Sequence, residues 1–188
     1  YLDALAGIAV NSVGHAHPRL VRAIADQASK LIHCSNYFNI DLQEKVAEKL
    51  VEHSGLEAVF FCNSGLEANE CAIKIARKFG HAKGIEVPNI IVLKHAFHGR
   101  SIATLSATGN PSVREDFSPY TEGFIFVDES DLDGIRKIVE ENKNVVAIFF
   151  EPILGEGGVV PIDLSVIKGI REICDEHDLL MMCDEVQC

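Results

Sequence analysis

The chain has 188 residues, 47% of them hydrophobic, so it can bury a sizeable core and reads as one domain or a little more. Its net charge of -11 comes from Asp and Glu interspersed with Lys and Arg, without a block of like charge or a basic stripe, which argues against nucleic acid as a partner. No apolar run reaches the length of a membrane span, and the cysteines form no CxxC pair, so reduced, buried thiols of a cytoplasmic protein are expected rather than disulfides or a metal site.

The chain opens on a strand-like Tyr1-Leu2-Asp3 with no methionine and no signal peptide, which leaves room for an organellar transit segment upstream. Two helices follow, one carrying Leu20, Val21, Ile24, Ala25, Ala28 and Leu31, the other Leu42, Val46, Leu50 and Val51. Apolar runs rich in β-branched and aromatic residues at 58–62, 89–93, 123–127, 145–150 and 179–183 read as buried strands. Between them lie helical stripes: Ala68, Cys71, Ala72, Ile75, Ala76 and Phe79; then Leu132, Ile135, Ile138 and Val139; then Val166, Ile167, Ile170, Ile173 and Cys174. Residues 81–88 and 108–120 read as turn-rich connections. This alternation predicts an α/β fold with a mostly parallel sheet and helices on both faces. In such sheets ligands sit at the carboxyl ends of strands.

Polar clusters directly follow the predicted strands. Asn63-Ser64-Gly65-Leu66-Glu67-Ala68-Asn69-Glu70 opens a helix whose first-turn N–H groups suit a phosphate, although Ser64 and Glu67 equally form a capping box. Ala96-Phe97-His98-Gly99-Arg100 offers an aromatic face, an imidazole and a guanidinium able to grip a carboxylate. Glu151-Pro152-Ile153-Leu154-Gly155-Glu156-Gly157-Gly158 sets two acids around a glycine-rich turn, and Asp184-Glu185-Val186-Gln187 ends a strand on a carboxylate suited to a positive partner such as a protonated pyridine nitrogen. Each cluster alone is more simply a cap, a turn or a solvated acid. Neither GxGxxG nor GxxxxGK[ST] occurs, which disfavours a dinucleotide-dependent oxidoreductase and a P-loop enzyme.

Taken together and in order, these clusters resemble the class III, ω-amino, pyridoxal-phosphate (PLP) dependent aminotransferases over essentially the whole chain. The opening residues 1–12, with Gly14-His15 and His17-Pro18, are similar to the acetylornithine branch of that family. The resemblance implies PLP-dependent transferase fold type I, with 1–30 belonging to a small domain and 31–188 to an incomplete large domain that binds the cofactor. It implies that Ser64, Gly65 and Leu66 hold the phosphate, that Phe97 and Val186 sandwich the ring, and that Asp184 pairs with the ring nitrogen. His98 falls among the cofactor-binding residues, and Gln187 toward the phenolic oxygen. Arg100, Glu156, Tyr37 and Phe38 are implied at the substrate, with Glu151 supporting Asp184.

Leu66 and Leu154 depart from the family pattern, standing where a small residue or threonine, and a glutamine, are usual. The Schiff-base lysine is implied a few tens of residues beyond Asp184; none of the ten lysines occupies that place, so a chain ending at Cys188 is expected to be inactive. The implied reaction moves the terminal amine of N-acetylornithine to 2-oxoglutarate, in arginine biosynthesis, within a homodimer. Alternatives are ornithine, succinylornithine, succinyl-diaminopimelate or 4-aminobutyrate as donor, a glutamate semialdehyde type aminomutase, and, in a different class, a non-catalytic α/β binding module.

Overall fold

The computed structural model describes residues 1–188, which divide into two compact units, Tyr1–Phe60 and Phe61–Cys188. The division lies beyond the 30/31 boundary expected from the sequence. In the first unit an irregular turn, α1 (Ala6–Ala9), precedes α2 (Pro18–Ala28) and α3 (Asp41–Ser54). Pro18 starts α2 where its missing N–H costs nothing, and Gly55 ends α3 in the left-handed conformation, at φ 70. Neither helix has a buried residue: Leu20, Val21, Ile24, Leu42, Val46 and Leu50 are all exposed. Tyr1-Leu2-Asp3 forms no strand.

The second unit contains α4 (Gly65–Ala82), β1 (Asn89–Leu93), α5 (Ile102–Ala107), α6 (Pro111–Arg114), β2 (Phe124–Val127) and α7 (Leu132–Glu141). It continues through β3 (Val145–Phe150), β4 (Ile153–Leu154), β5 (Val160–Pro161), α8 (Leu164–His177) and β6 (Leu180–Cys183). The main sheet has the order β2-β1-β3-β6, and every pairing in it is parallel. Its strands read as continuous apolar runs because both faces are covered. Ile91, Leu93, Ile148 and Phe150 pack with Ile135 and Val139 of α7 and Ile170 and Ile173 of α8. Ile90, Val92, Ala147 and Phe149 pack with Ile73 and Ala76 of α4 and Ala107 of α5. The expected parallel α/β architecture, helices on both faces, is therefore present.

Four local expectations are corrected. Residues 58–62 form no strand, and Phe60 and Phe61 stay 68% and 38% exposed, because no ladder partner lies beside them. The 151–158 turn contributes half of a small antiparallel hairpin, β4 against β5, and α6 occupies part of the 108–120 stretch read as turn-rich. On α4 the buried stripe is Asn69, Ile73, Ala76 and Gly80; Ile75, placed on that stripe from the sequence, is 55% exposed.

The connection leaving β1 runs into α5, on the α4 face, whereas the one leaving β3 reaches α8 on the opposite face. Adjacent strands whose continuations diverge in this way open a crevice at their carboxyl ends. The polar clusters meet there.

Candidate active site

Asp184 follows the last strand, its N–H donating to Phe150 O at 2.8 Å, and is 6% exposed. Its Oδ2 accepts from Asn69 Nδ2 at 2.7 Å and from His98 Nδ1 at 2.8 Å, while Oδ1 accepts the Val186 N–H at 3.2 Å. Burial pushes this carboxyl up, but the hydrogen bonds from His98, Val186 and Asn69 outweigh it and hold Asp184 below its ordinary value of 3.8. The result is a desolvated anion, poised for a cation.

His98 lies behind that carboxylate. Its ring is stacked on Phe149, centroids 3.9 Å apart, and at 1% exposure it presents no surface to a ligand. A carboxylate only accepts, so Nδ1 carries the hydrogen, and Nε2 is buried with no partner in the chain. His98, expected among the cofactor-contacting residues, is thus closed off from direct contact and touches Asp184 instead. Thr108 Oγ1 anchors the loop by accepting the His98 N–H at 3.0 Å.

The α4 N-terminus adjoins the Asp184 loop. Ser64 Oγ accepts the Glu67 N–H at 3.2 Å, so the hydroxyl serves as a cap, while the Gly65 and Leu66 N–H groups have no acceptor in the chain. A β-carbon at Gly65 would lie 2.5 Å from Val186 Cγ1 and 2.7 Å from Cγ2, so only glycine permits this approach. Val186 itself is 63% exposed. One end of the cluster therefore offers free N–H donors and the other a buried anion.

Glu151, buried at the end of β3, accepts the Phe97 N–H at 2.8 Å through Oε2 and the Gly155 N–H at 3.2 Å through Oε1. Burial pushes its carboxyl above the usual range, and the two N–H donors oppose that rise. The Phe97 ring is half-buried, and the exposed Arg100 guanidinium stands 5.9 Å over it without an ion-pair partner. Glu156 is exposed between β4 and β5, and the Gln187 chain approaches Gly155. Tyr37 and Phe38 belong to the first unit and are exposed there. Lys94 is committed to Asp128, Nζ to Oδ2 at 2.9 Å.

Residues 1–188 match the family model for class III aminotransferases. An acetylornithine aminotransferase from Nitrosomonas europaea is 52% identical over 188 residues, which is 100% of this chain and 48% of that protein. One from Methanocaldococcus jannaschii is 47% identical over 189 residues, again 100% of this chain and 47% of the relative. Among solved structures, ornithine aminotransferase from Toxoplasma gondii has a TM-score of 0.90 at 33% identity, covering 97% of this chain and 44% of that one. The N-acetylornithine aminotransferase of Stenotrophomonas maltophilia has a TM-score of 0.78 at 38% identity, covering 95% and 44%. The chain belongs to the class III aminotransferase family. It spans about half the length of the curated relatives it matches.

Membership of the class III aminotransferases implies pyridoxal phosphate, and one structure of the T. gondii enzyme is described with partial PLP occupancy at its active site. The residues here fit that group. Free N–H groups at a helix start suit its phosphate, and a carboxylate held anionic in a buried place suits its ring nitrogen. Asn69, Thr108 and Phe149, which complete the surroundings of Asp184 and His98, were not singled out from the sequence. For Asn69 a signal existed: it is the one polar side chain on the buried stripe of α4.

Proposed function

We propose that the protein carrying this segment transfers the terminal amino group of N-acetylornithine to 2-oxoglutarate, using pyridoxal phosphate, as a homodimer. The observation that carries the cofactor reading is the Asp184 carboxylate, buried yet held anionic by Asn69, His98 and Val186. The cofactor, when bound, supplies an electron sink for negative charge at the substrate carbon. Asp184 would keep the ring nitrogen protonated, Gly65 and Leu66 would receive the phosphate, and Phe97 and Val186 would confine the ring between them. Arg100, unpaired and exposed, is the group suited to a substrate carboxylate. Glu156 and Gln187, with Tyr37 and Phe38, are proposed at the substrate and ring oxygen on the family resemblance.

The choice of N-acetylornithine is supported by relatives of that name at 52% and 47% identity. A second reading, ornithine as donor, is supported by the T. gondii structure at 33% identity. To decide, the full protein is titrated with PLP and its visible absorbance followed while N-acetylornithine, ornithine and 4-aminobutyrate are added in turn without an oxo-acid. Preferential loss of the cofactor band with N-acetylornithine is expected. Stronger bleaching by ornithine changes the substrate; no band with PLP ends the aminotransferase reading. In Asp184→Ala, PLP affinity should fall by about 100-fold or more, since the ring cation then loses its counter-charge and faces the three donors that Asp184 had accepted from.

A further inference from the structure

Asp184 receives three donors, and one of them stands on the same helix as the free first-turn N–H groups. Asn69 lies a turn into α4, 6% exposed, and its single amide nitrogen donates both to Asp184 Oδ2 at 2.7 Å and to His98 O at 2.9 Å. Both neighbours are acceptors, a carboxylate and a carbonyl. The amide can therefore stand in one orientation only, nitrogen inward, and a flip would set oxygen against oxygen twice.

We infer that Asn69 is a positioning residue: it ties the α4 first turn to the Asp184 carboxylate, and by filling Oδ2 with His98 it leaves Oδ1 for a cationic ring nitrogen. A ligand gripped by phosphate at one end and by ring nitrogen at the other needs a fixed span between its two holders. Asn69 is the side chain that joins them, because α4 carries Gly65 and Leu66 while Asp184 directly follows β6. Oδ1 keeps capacity for a further donor, since its one bond is the longer contact from Val186, 3.2 Å. The inference rests on the PLP reading for the identity of the ring and on the Asn69 hydrogen bonds for the clamp.

The test follows Asp184 directly, by carbon-13 NMR of carboxyl-labelled aspartate in the full protein without cofactor, in wild type, Asn69→Ala and Asn69→Asp. In Asn69→Ala the Asp184 midpoint should rise by about one pH unit, tenfold in proton affinity, for loss of one charge-assisted hydrogen bond. Asn69→Asp keeps the shape but sets two carboxyls at hydrogen-bond distance, so the pair shares a proton and gains a titration that the wild type lacks. The other titratable groups facing Asp184, His98 and Glu151, are unchanged in all three proteins. With ring-labelled PLP bound, the nitrogen-15 shift should report reduced ring protonation in Asn69→Ala. In Asn69→Asp it should approach wild type at low pH and depart from it as pH rises.

A space-filling role predicts the reverse order: Asn69→Ala disruptive to folding, Asn69→Asp nearly silent, and the Asp184 midpoint unmoved in both. That pattern overturns the inference. If Asn69→Ala does not fold, Asn69→Asp decides alone, through whether the Asp184 midpoint itself moves. If the wild type takes up no PLP, the functional reading fails, while the titration without cofactor still decides the role of Asn69.

Discussion

Residues 1–60 and 61–188 both carry clear apolar stripes, yet only the second region buries them. Every buried side chain lies beyond residue 60, from Asn69 through Asp184, whereas α2 and α3 have none. The difference separates two things that an amphipathic pattern encodes. Spacing at 3.6 residues is enough to specify a helix, but not what covers its apolar face. In the second region the cover is supplied within the region itself, by a sheet whose strands are apolar on both sides.

The sharpest way to break that contrast is to hollow out the sheet. Phe150→Ala, at a fully buried position, should cost about 3–5 kcal/mol in urea denaturation. A cost below about 1 kcal/mol would mean that the second region does not stand on its own core.

Next in size is Gly65→Ala, which forces a β-carbon to within 2.5 Å of Val186. A destabilisation of about 1–3 kcal/mol is expected, with weaker PLP retention because the Val186 loop must retreat. Retention equal to wild type would separate the Gly65 approach from cofactor binding.

The acid limb of stability gives a smaller effect with a defined sign. Asp184 titrates below 3.8 when folded, so its contribution is present above that value and is lost as pH falls through the folded midpoint. The stability gap between wild type and Asp184→Asn should therefore narrow between about pH 5 and about pH 2. A gap that stays constant would show that Asp184 is not the anion described. Glu151 acts in the opposite sense. Its raised carboxyl penalises the folded state above its folded midpoint, and the penalty is relieved as pH falls toward 4.5.

The smallest effect belongs to the first region. Ile24→Ala, at a side chain 60% exposed, should change the stability of the 188-residue chain by no more than about 0.5 kcal/mol. The same substitution measured in the full protein would sharpen the comparison, since a larger loss there identifies a surface that covers α2.

The sheet was legible in the sequence because its strands are short apolar runs ended by polar clusters, and β1 and β3 fall where those runs predict. The run at 58–62 has the same composition and forms no strand, since composition cannot supply a neighbour to hydrogen-bond with. Asp184 and Glu151 were legible as acids at strand ends, but their partners were not. His98 reaches Asp184 across 86 positions and Asn69 reaches it across 115, distances at which no local pattern operates. Asn69 was hidden further by phase: the alanines of α4 suggest a stripe through Ile75, and the face that packs is the neighbouring one.

The loops around Asp184 are secured by one another. Glu151 holds the backbone at both Phe97 and Gly155, Asn69 holds both His98 and Asp184, and Thr108 holds His98 again. No loop here is an independent module, and that bears on how such an enzyme can be altered by recombination. A segment exchanged with a relative arrives with donors and acceptors cut to its former neighbours, so a chimera joined between Arg100 and Glu151 severs bonds on both sides of the junction. Substitutions should therefore be tolerated best at exposed side chains outside this circuit, such as Arg100 and Glu156, while the circuit itself must be changed as a block.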